Sequence, residues 1–405
     1  MFAGVYRSDA KAGRFLSVLV LSGISYGLYR GIQDNYFAEI VKITPFERGI
    51  VEFFREIPGL LVIVFLALMY RFTDSRIFKI GIAIMTGGIA GLLLTSSHWL
   101  NTKFFVVLFT VLFSAGEHIV MPVRSTISMD LAKREKAGGS LGITNSIIQL
   151  GQIAGFILVS VIFIFLSRMG YTQTDIPGYR IVFSLSTALM VVSVLVVLAL
   201  KETTSKSPRR RFYFAKKFYK YYMLEVFYGA RKQIFLTFAP YVLILQYGAD
   251  PSIMSLLYTV CAAFGIFCGP LMGKIIDKLG YKIVMVGDTL ILIVVCILYG
   301  FAHQLFAPGI AFMVVCSNFV LDSIISIASM ASNVYVQRIA SSQEEITTTI
   351  STGISVNHFF SIFIALMGGW IWKVTGIEVL FSLSAFLGLM NSIYAATIKK
   401  SEERR

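Results

Sequence analysis

The chain has 405 residues, of which 56% are hydrophobic and only 14% are charged. Because soluble domains carry about 25% charged residues, this composition excludes an ordinary soluble protein and indicates a membrane protein with several spans. The formal net charge of +14 at pH 7 suits an anionic partner, either nucleic acid or an anionic lipid surface.

Apolar stretches follow one another along the whole chain, and each is long enough for a transmembrane helix of about 20 residues. The basic segment 1–14 precedes an apolar stretch that is longer than a signal-peptide core, so we expect a retained first span. Turn residues and charges delimit twelve predicted spans, at about 15–38, 46–70, 77–98, 103–129, 139–167, 180–200, 219–246, 251–273, 282–302, 306–335, 344–371 and 376–397.

Two sequence echoes divide these spans into halves. The segment 26–30 in span 1 is similar to 228–232 in span 7, and 142–145 in span 5 is similar to 353–357 in span 11. Both echoes are six spans apart. Parallel six-helix repeats are a transporter architecture that places the binding site at the interface of the repeats.

The predicted fold is therefore an all-α membrane protein with twelve transmembrane helices in two pseudo-symmetric six-helix bundles. The bundles comprise residues 1–200 and 219–405, and a basic linker, 201–218, joins them. The linker interleaves Lys and Arg with aromatic residues. Both a topogenic linker and an amphipathic segment on an anionic membrane face fit this pattern.

The distribution of basic residues predicts the orientation. With the N-terminus inside, most of the 36 Lys and Arg fall in cytoplasmic segments. The external loops then hold five, namely Lys42, Lys103, Arg168, Arg180 and Lys373. This is the positive-inside bias, so both termini are expected in the cytoplasm and nucleic-acid binding is not expected.

The loop between spans 8 and 9 carries a recognisable motif. It places Gly273, Asp277, Lys278 and Gly280 as in the signature Gly-x-x-x-Asp-Arg/Lys-x-Gly-x-Arg/Lys. The loop resembles this signature of the major facilitator superfamily. The corresponding loop 70–79 keeps Asp and basic residues but neither glycine.

The resemblance implies alternating access and a cytoplasmic gate built from these loops. The expected gate residues are Asp74, Arg76, Asp277, Lys278 and Arg124, and for Arg124 a structural role stays open. A carboxylate near a helix start gains roughly 0.3–1 kcal/mol, which gives such a gate a physical basis.

Span 5 partly resembles the antiporter signature of the same family, since Gly142, Gly151 and Gly155 have its spacing. The Gly-Pro-x-x-Gly-Gly ending is replaced from Phe156 onward. A packing face of small residues is the alternative interpretation of Gly151 and Gly155.

Ionisable residues concentrate in particular spans. In the family, helices 1, 4, 7 and 10 line the cavity and helices 3, 6, 9 and 12 support it. Spans 3, 6 and 12 have uncharged interiors, and span 9 has only Asp288. The charged residues of spans 1, 2, 4, 7 and 10 are Arg30, Asp34, Glu52, Arg55, Glu56, Glu117, His118, Arg124, Glu225, Arg231, Lys232 and Asp322.

Three chemical roles follow from these residue types. Arg and Lys in a poorly solvated site bind an anionic group, carboxylates and His carry protons, and amides orient a neutral part of a substrate. The predicted anion-binding residues are Arg30, Arg231 and Lys232. The predicted proton-coupling residues are Glu117, His118, Asp322 and His358. The predicted orienting residues are Asn145, Gln149, Gln152 and Asn357.

Structural pairing is the competing interpretation of the same charges. Arg30 and Asp34 are four residues apart, Glu52 is placed to pair with Arg55, and Glu225 and Lys232 share one helix face. Buried charges need such partners.

These observations predict a proton-coupled symporter of a small organic anion or zwitterion, monomeric and in a bacterial inner membrane. An exporter of amphipathic drugs or lysolipids and a non-transporting membrane sensor are the alternatives. The four cysteines lack metal-ligand spacing, and no catalytic set is recognised, so neither a cofactor, a metal nor an enzyme activity is predicted.

Overall fold

The computed structural model describes residues 5–6, 10–97, 102–133, 136–201 and 214–398. Within these ranges the chain is helical, and strand-like pairing is confined to one isolated bridge between Tyr6 and Ala132. Of the predicted linker, residues 202–213 lie outside the described ranges.

Thirteen α-helices are found in the described chain. In chain order they are α1 (Ala10–Asn35), α2 (Pro45–Leu68), α3 (Asp74–Thr95), α4 (Lys103–Asp130), α5 (Ala137–Arg168), α6 (Ile176–Leu198), α7 (Tyr219–Tyr247), α8 (Pro251–Leu279), α9 (Tyr281–Leu305), α10 (Pro308–Ser326), α11 (Met330–Ile339), α12 (Gln343–Thr375) and α13 (Ile377–Ala396).

Two short segments extend these helices. A π-helical turn, Tyr36–Ile40, continues α1. A 3-10 turn, Ile327–Ser329, joins α10 to α11, so Pro308–Ile339 is one span.

By length and apolar composition, ten segments of the described chain can cross a membrane. The helices α2 and α7 have 24 and 29 residues and interrupt their apolar sequence with charges. Large apolar side chains lie exposed on the outer faces, for example Leu68, which is 76% exposed, and Phe267, which is 75% exposed. Such exposure is expected where lipid is the solvent. The predicted twelve-helix membrane fold is confirmed.

The chain forms two compact units. Unit 1 comprises Met1–Ile43, Phe54–Arg209 and Ala249–Ala262. Unit 2 comprises Thr44–Phe53, Arg210–Gly248 and Ala263–Arg405. The helices α2 and α8 thus each divide their residues between the two units.

In unit 1, α1 packs closely against α5 through glycines. A Cβ atom on Gly155 would lie 2.3 Å from the Ile24 carbonyl oxygen, and one on Gly151 would lie 3.0 Å from the Ile24 nitrogen. A Cβ on Gly142 would meet nothing within 4 Å. The packing interpretation of Gly151 and Gly155 is therefore confirmed.

The N-terminal segment is fixed to α4 and α5 in unit 1. The Tyr6 hydroxyl donates to the Ser140 carbonyl at 2.9 Å and lies 2.9 Å from Ser128 Oγ and 2.8 Å from Thr144 Oγ1. Ser128 and Thr144 are also 2.7 Å apart. One phenol thus connects the end of α4 to the start of α5.

In unit 2, α7 packs against α12 and α13, and α9 packs against α13. An aromatic group, Phe235, Tyr299 and Phe381, has ring centroids 4.8–5.4 Å apart. Tyr299 also donates from its hydroxyl to the Ala239 carbonyl at 2.7 Å. This aromatic core packs against one face of α7. The charged residues of α7 contact polar residues of α10 and α12 instead.

Candidate functional site

Arg30 occupies the centre of a polar cluster in unit 1. Its Nη1 donates to Gln33 Oε1 at 2.7 Å and lies 3.5 Å from Asp34 Oδ2. The Tyr258 hydroxyl donates to the same Asp34 oxygen at 2.8 Å, and the Arg30 guanidinium lies 5.6 Å from the Tyr258 ring centroid. The predicted Arg30–Asp34 pair is confirmed, and Tyr258 holds its carboxylate in place.

A buried donor next to Arg30 has no acceptor. Gln33 is 2% exposed, and its Nε2 makes no hydrogen bond within the described chain. An unsatisfied buried polar group costs about 1–3 kcal/mol. The Arg30 side chain is 19% exposed. A ligand with acceptor oxygens can satisfy Gln33 and contact Arg30 together.

The α4 residues Glu117 and His118 are partly buried in unit 1. His118 Nδ1 lies 2.8 Å from the Ser114 carbonyl oxygen, and the Ser114 hydroxyl donates to the Arg55 carbonyl at 2.6 Å. Glu117 interacts electrostatically with Arg124, seven residues along the same helix. Arg124 Nε lacks a partner in the described ranges. These contacts keep His118 oriented and give Glu117 one basic neighbour.

The α5 amides differ in exposure. Asn145 is exposed, and Gln149 and Gln152 are partly exposed. The backbone of Gln152 is the contact surface for Gly27, whose Cβ would lie 2.2 Å from the Gln152 carbonyl oxygen. Helix packing thus fixes the backbone of Gln152, whereas the side chain of Asn145 is exposed.

Arg231 is almost completely buried in unit 2. It is 2% exposed, its Nη1 lies 3.0 Å from Asp322 Oδ1, and its guanidinium is 5.0 Å from the Tyr228 ring centroid. Its Nη2 has no hydrogen-bond partner in the part of the chain that is described. Arg231 and Asp322 therefore form an ion pair that leaves one donor unused.

Lys232 is more accessible than its neighbour. Its Nζ lies 5.8 Å from the Tyr228 ring centroid, and the ammonium interacts electrostatically with Glu225 and Asp322. The side chain is partly exposed. Of the two adjacent cations, Lys232 is the one that a ligand in water reaches first.

Asn357 on α12 bonds to Glu225 on α7. Its Nδ2 donates to Glu225 Oε2 at 3.2 Å, and its Oδ1 accepts from Ser361 Oγ at 3.3 Å. A Cβ on Gly229 would lie 2.6 Å from Asn357 Cγ, so the amide fits only against glycine. His358, the next residue, is partly buried.

Sequence reasoning did not identify one buried network in unit 2. Arg48 Nη1 lies 2.7 Å from Glu52 Oε2, and Gln233 Nε2 donates to Glu52 Oε1 at 3.0 Å. The Arg48 guanidinium is 5.6 Å from the Tyr241 ring centroid. Helix spacing predicts a pair of Arg55 with Glu52, and the structure pairs Arg55 with Glu56. The i,i+4 spacing of Arg48 and Glu52 was the available signal.

The two predicted gate loops differ. Asp74 is 1% exposed at the first turn of α3, and Arg76 beside it is exposed. Asp277 and Lys278 are both exposed on the last turn of α8. The helix-start stabilisation expected of a gate carboxylate is therefore available to Asp74.

Comparison with known proteins agrees with this architecture. No curated protein sequence matches the chain. The nucleoside transporter NupG is similar in structure, with a TM-score of 0.74, 13% identity, and coverage of 98% of this chain and 100% of that chain. A D-xylose-proton symporter has a TM-score of 0.72, 14% identity, and coverage of 98% of both chains.

A bacterial homologue of the human lysosomal transporter Spinster has a TM-score of 0.67, 14% identity, and coverage of 96% of this chain and 97% of that chain. These similarities show the fold. The sequence pattern of the Major Facilitator Superfamily matches residues 15–224 and again 221–405. The chain is an integral membrane protein, a secondary transporter and not an enzyme, and it belongs to the Major Facilitator Superfamily.

Proposed function

We propose that this transporter moves a small organic anion or zwitterion by alternating access, in symport with protons. It acts as a monomer in a bacterial inner membrane with both termini in the cytoplasm. Arg30 in unit 1 and Arg231 and Lys232 in unit 2 contact the anionic group. Asn145, Gln149, Gln152 and Asn357 orient the rest of the substrate.

The observation that carries this proposal is a pair of buried donors that have no acceptor among the described residues. Gln33 Nε2 lies in the Arg30 cluster, and Arg231 Nη2 belongs to the second predicted cation site. Both side chains are 2% exposed. A carboxylate or phosphate offers several acceptor lone pairs and a charge, which suits donors next to guanidinium groups. A hydrocarbon-rich drug would leave them unsatisfied.

Titratable side chains in both units support proton coupling. Glu117 and His118 lie in unit 1, and Asp322 and His358 lie in unit 2. Carboxyl and imidazole groups are side chains that can bind and release a proton during a transport cycle. The D-xylose-proton symporter shares the fold. Asp74, Arg76, Asp277, Lys278 and Arg124 are proposed to gate the cytoplasmic side.

A thermal-shift screen of the purified protein tests the substrate class. Anionic and zwitterionic metabolites are compared with neutral analogues of similar size at several pH values. We expect stabilisation by a member of the charged set and at least a tenfold weaker affinity in Arg30→Gln. Arg168→Gln, an exposed cation at the end of α5, is the matched control and keeps the affinity. Stabilisation by neutral compounds alone contradicts the proposal.

A further inference from the structure

A small cavity with several polar groups in its lining lies in unit 2, between α7, α9, α11, α13 and the turn that joins α10 to α11. Its volume is about 20 Å³, and a cavity of at least about 10–15 Å³ holds one water molecule. Its polar lining residues are Glu225, Tyr228, Asp288, Ser329, Ser332 and Asn391. Two carboxyl groups, three hydroxyl groups and an amide therefore line one water-sized space.

The two carboxyl groups differ in how well they are stabilised. Glu225 accepts hydrogen bonds from Ser332 Oγ at 3.1 Å and Asn357 Nδ2 at 3.2 Å, and Lys232 interacts with it electrostatically. Among the described residues, the Asp288 carboxyl group accepts hydrogen bonds only from the adjacent Thr289, from its hydroxyl at 3.3 Å and from its backbone N–H. No ion pair of Asp288 is found in the described parts of the chain. The ionised form of Asp288 is therefore less stabilised by its surroundings than the ionised form of Glu225.

Charge balance points to the same residue. Beyond their first turns, α7, α9 and α10 hold three carboxyl groups, those of Glu225, Asp288 and Asp322, and two cations, Arg231 and Lys232. Arg231 contacts Asp322 directly at 3.0 Å, and Lys232 lies near Glu225. Arg231 also acts on Asp288 electrostatically, but its charge is already shared with Asp322. One negative charge is left uncompensated, which a buried site avoids by binding a proton.

The cavity lining also contains an acceptor, on Asn391, that can pair with a protonated carboxyl group. Asn391 Oδ1 is buried and has no hydrogen-bond partner among the described residues. A protonated carboxyl group is a donor, whereas an ionised one only accepts. A neutral Asp288 can donate to Asn391 Oδ1, directly or through the water that the cavity accommodates, and an ionised Asp288 cannot.

We propose that Asp288, on a helix that the family uses as an outer support, is a further proton-carrying residue of this transporter, and that Asn391 Oδ1 accepts the hydrogen bond of its protonated carboxyl group. A proton from water binds a carboxylate oxygen of Asp288, forms a neutral acid, and returns to water on release. The charged or titratable groups around Asp288 are Tyr228 and Glu225 on α7, Arg231 and Lys232 further along α7, and Asp322 on α10. The proposal rests on the proposed proton coupling.

Infrared difference spectroscopy of the full chain in nanodiscs, recorded while pH is raised, tests the assignment. The carbonyl stretch of a protonated carboxyl group is the readout, so no substrate is needed. We expect such a band in the natural protein at mildly acidic pH, its loss as pH rises through neutrality, and its absence in Asp288→Asn. Asp175→Asn, a carboxyl group in the loop before α6, keeps the band.

Asn391→Leu is the second variant, because it removes the acceptor and leaves Asp288 in place. The band persists in this variant at a higher frequency. If the band is unchanged in Asp288→Asn, the proposal is overturned. It is also overturned if sodium chloride removes the band at constant pH while choline chloride, the matched control salt, does not. If the band behaves as expected but transport does not depend on pH, Asp288 binds a proton and the proposed proton coupling is refuted.

Discussion

At the scale of single residues, buried charges in this protein are completed by neutral polar groups. Glu52 is 1% exposed and is shared between Arg48 and the Gln233 amide, which also lies 2.9 Å from the Thr237 hydroxyl. Asp34 is likewise shared between Arg30 and Tyr258. Each carboxylate thus has more than one partner, as a charge far from water requires.

Removing one member of the Arg48–Glu52 pair should destabilise the protein strongly. Glu52→Met leaves the Arg48 charge buried without its carboxylate, and breaking such a pair costs about 3–5 kcal/mol. The double variant Arg48→Met/Glu52→Met should recover most of this loss. Thermal unfolding in detergent measures both. Equal losses in the single and the double variant would show that the ion pair itself does not set the cost.

The sequence predicts local pairs better than distant ones. Arg30 and Asp34 are one helical turn apart, so their contact follows from spacing alone. The bonds of Asp34 to Tyr258 and of Glu225 to Asn357 join residues 224 and 132 positions apart. Helix spacing carries no information about such partners, because they depend on which helices pack together and at which depth.

At the scale of helices, glycine positions record close packing. Gly155 and Gly151 admit the backbone of α1, whereas Gly142 on the same helix faces open space. All three glycines have the spacing of one sequence motif, and only the contacts in the structure show that Gly142 does not belong to the packing face. The packing face therefore begins about two turns after Gly142.

A pair of alanine substitutions tests this difference. Gly155→Ala places a methyl group 2.3 Å from the Ile24 carbonyl oxygen, so α1 and α5 must move apart. We expect a loss of at least about 2 kcal/mol, comparable to overpacking in a core. Gly142→Ala should be neutral or slightly stabilising. The two melting temperatures decide, and similar values would refute the close packing of α1 on α5.

The N-terminal segment offers a second test at this scale. Tyr6→Phe removes the hydroxyl that connects Ser128, Ser140 and Thr144. The expected destabilisation is about 1–3 kcal/mol, because the Ser140 carbonyl loses a buried donor. Tyr171→Phe, at a residue 45% exposed, is the control and should be neutral. Chemical unfolding followed by tryptophan fluorescence is suitable, and equal effects would contradict the role of Tyr6.

The lengths of the apolar stretches predicted the spans, but they did not predict the changes of helix type that occur within two of them. Residues 308–339 read as one stretch, yet a 3-10 turn divides them into α10 and α11. At the end of α1, the helix widens into a π-helical turn where Glu39 bonds to Asn35 and Tyr179. Hydropathy reports burial in lipid and does not report such changes of hydrogen-bond pattern.

At the scale of the whole molecule, each unit carries its own cluster of buried charge. Unit 1 contains Arg30 and Glu117, and unit 2 contains Arg231, Asp288 and Asp322. The family and the fold make the chain a transporter. We propose in addition that its substrate is anionic or zwitterionic and that protons drive its movement.

Transport by the purified protein in proteoliposomes is the most direct test of this claim, with a substrate from the thermal-shift screen. An inward-directed proton gradient should accelerate uptake several-fold, and a protonophore should abolish the acceleration. A sodium gradient of equal size should have no effect. Uptake at the same rate with and without the proton gradient would contradict the account.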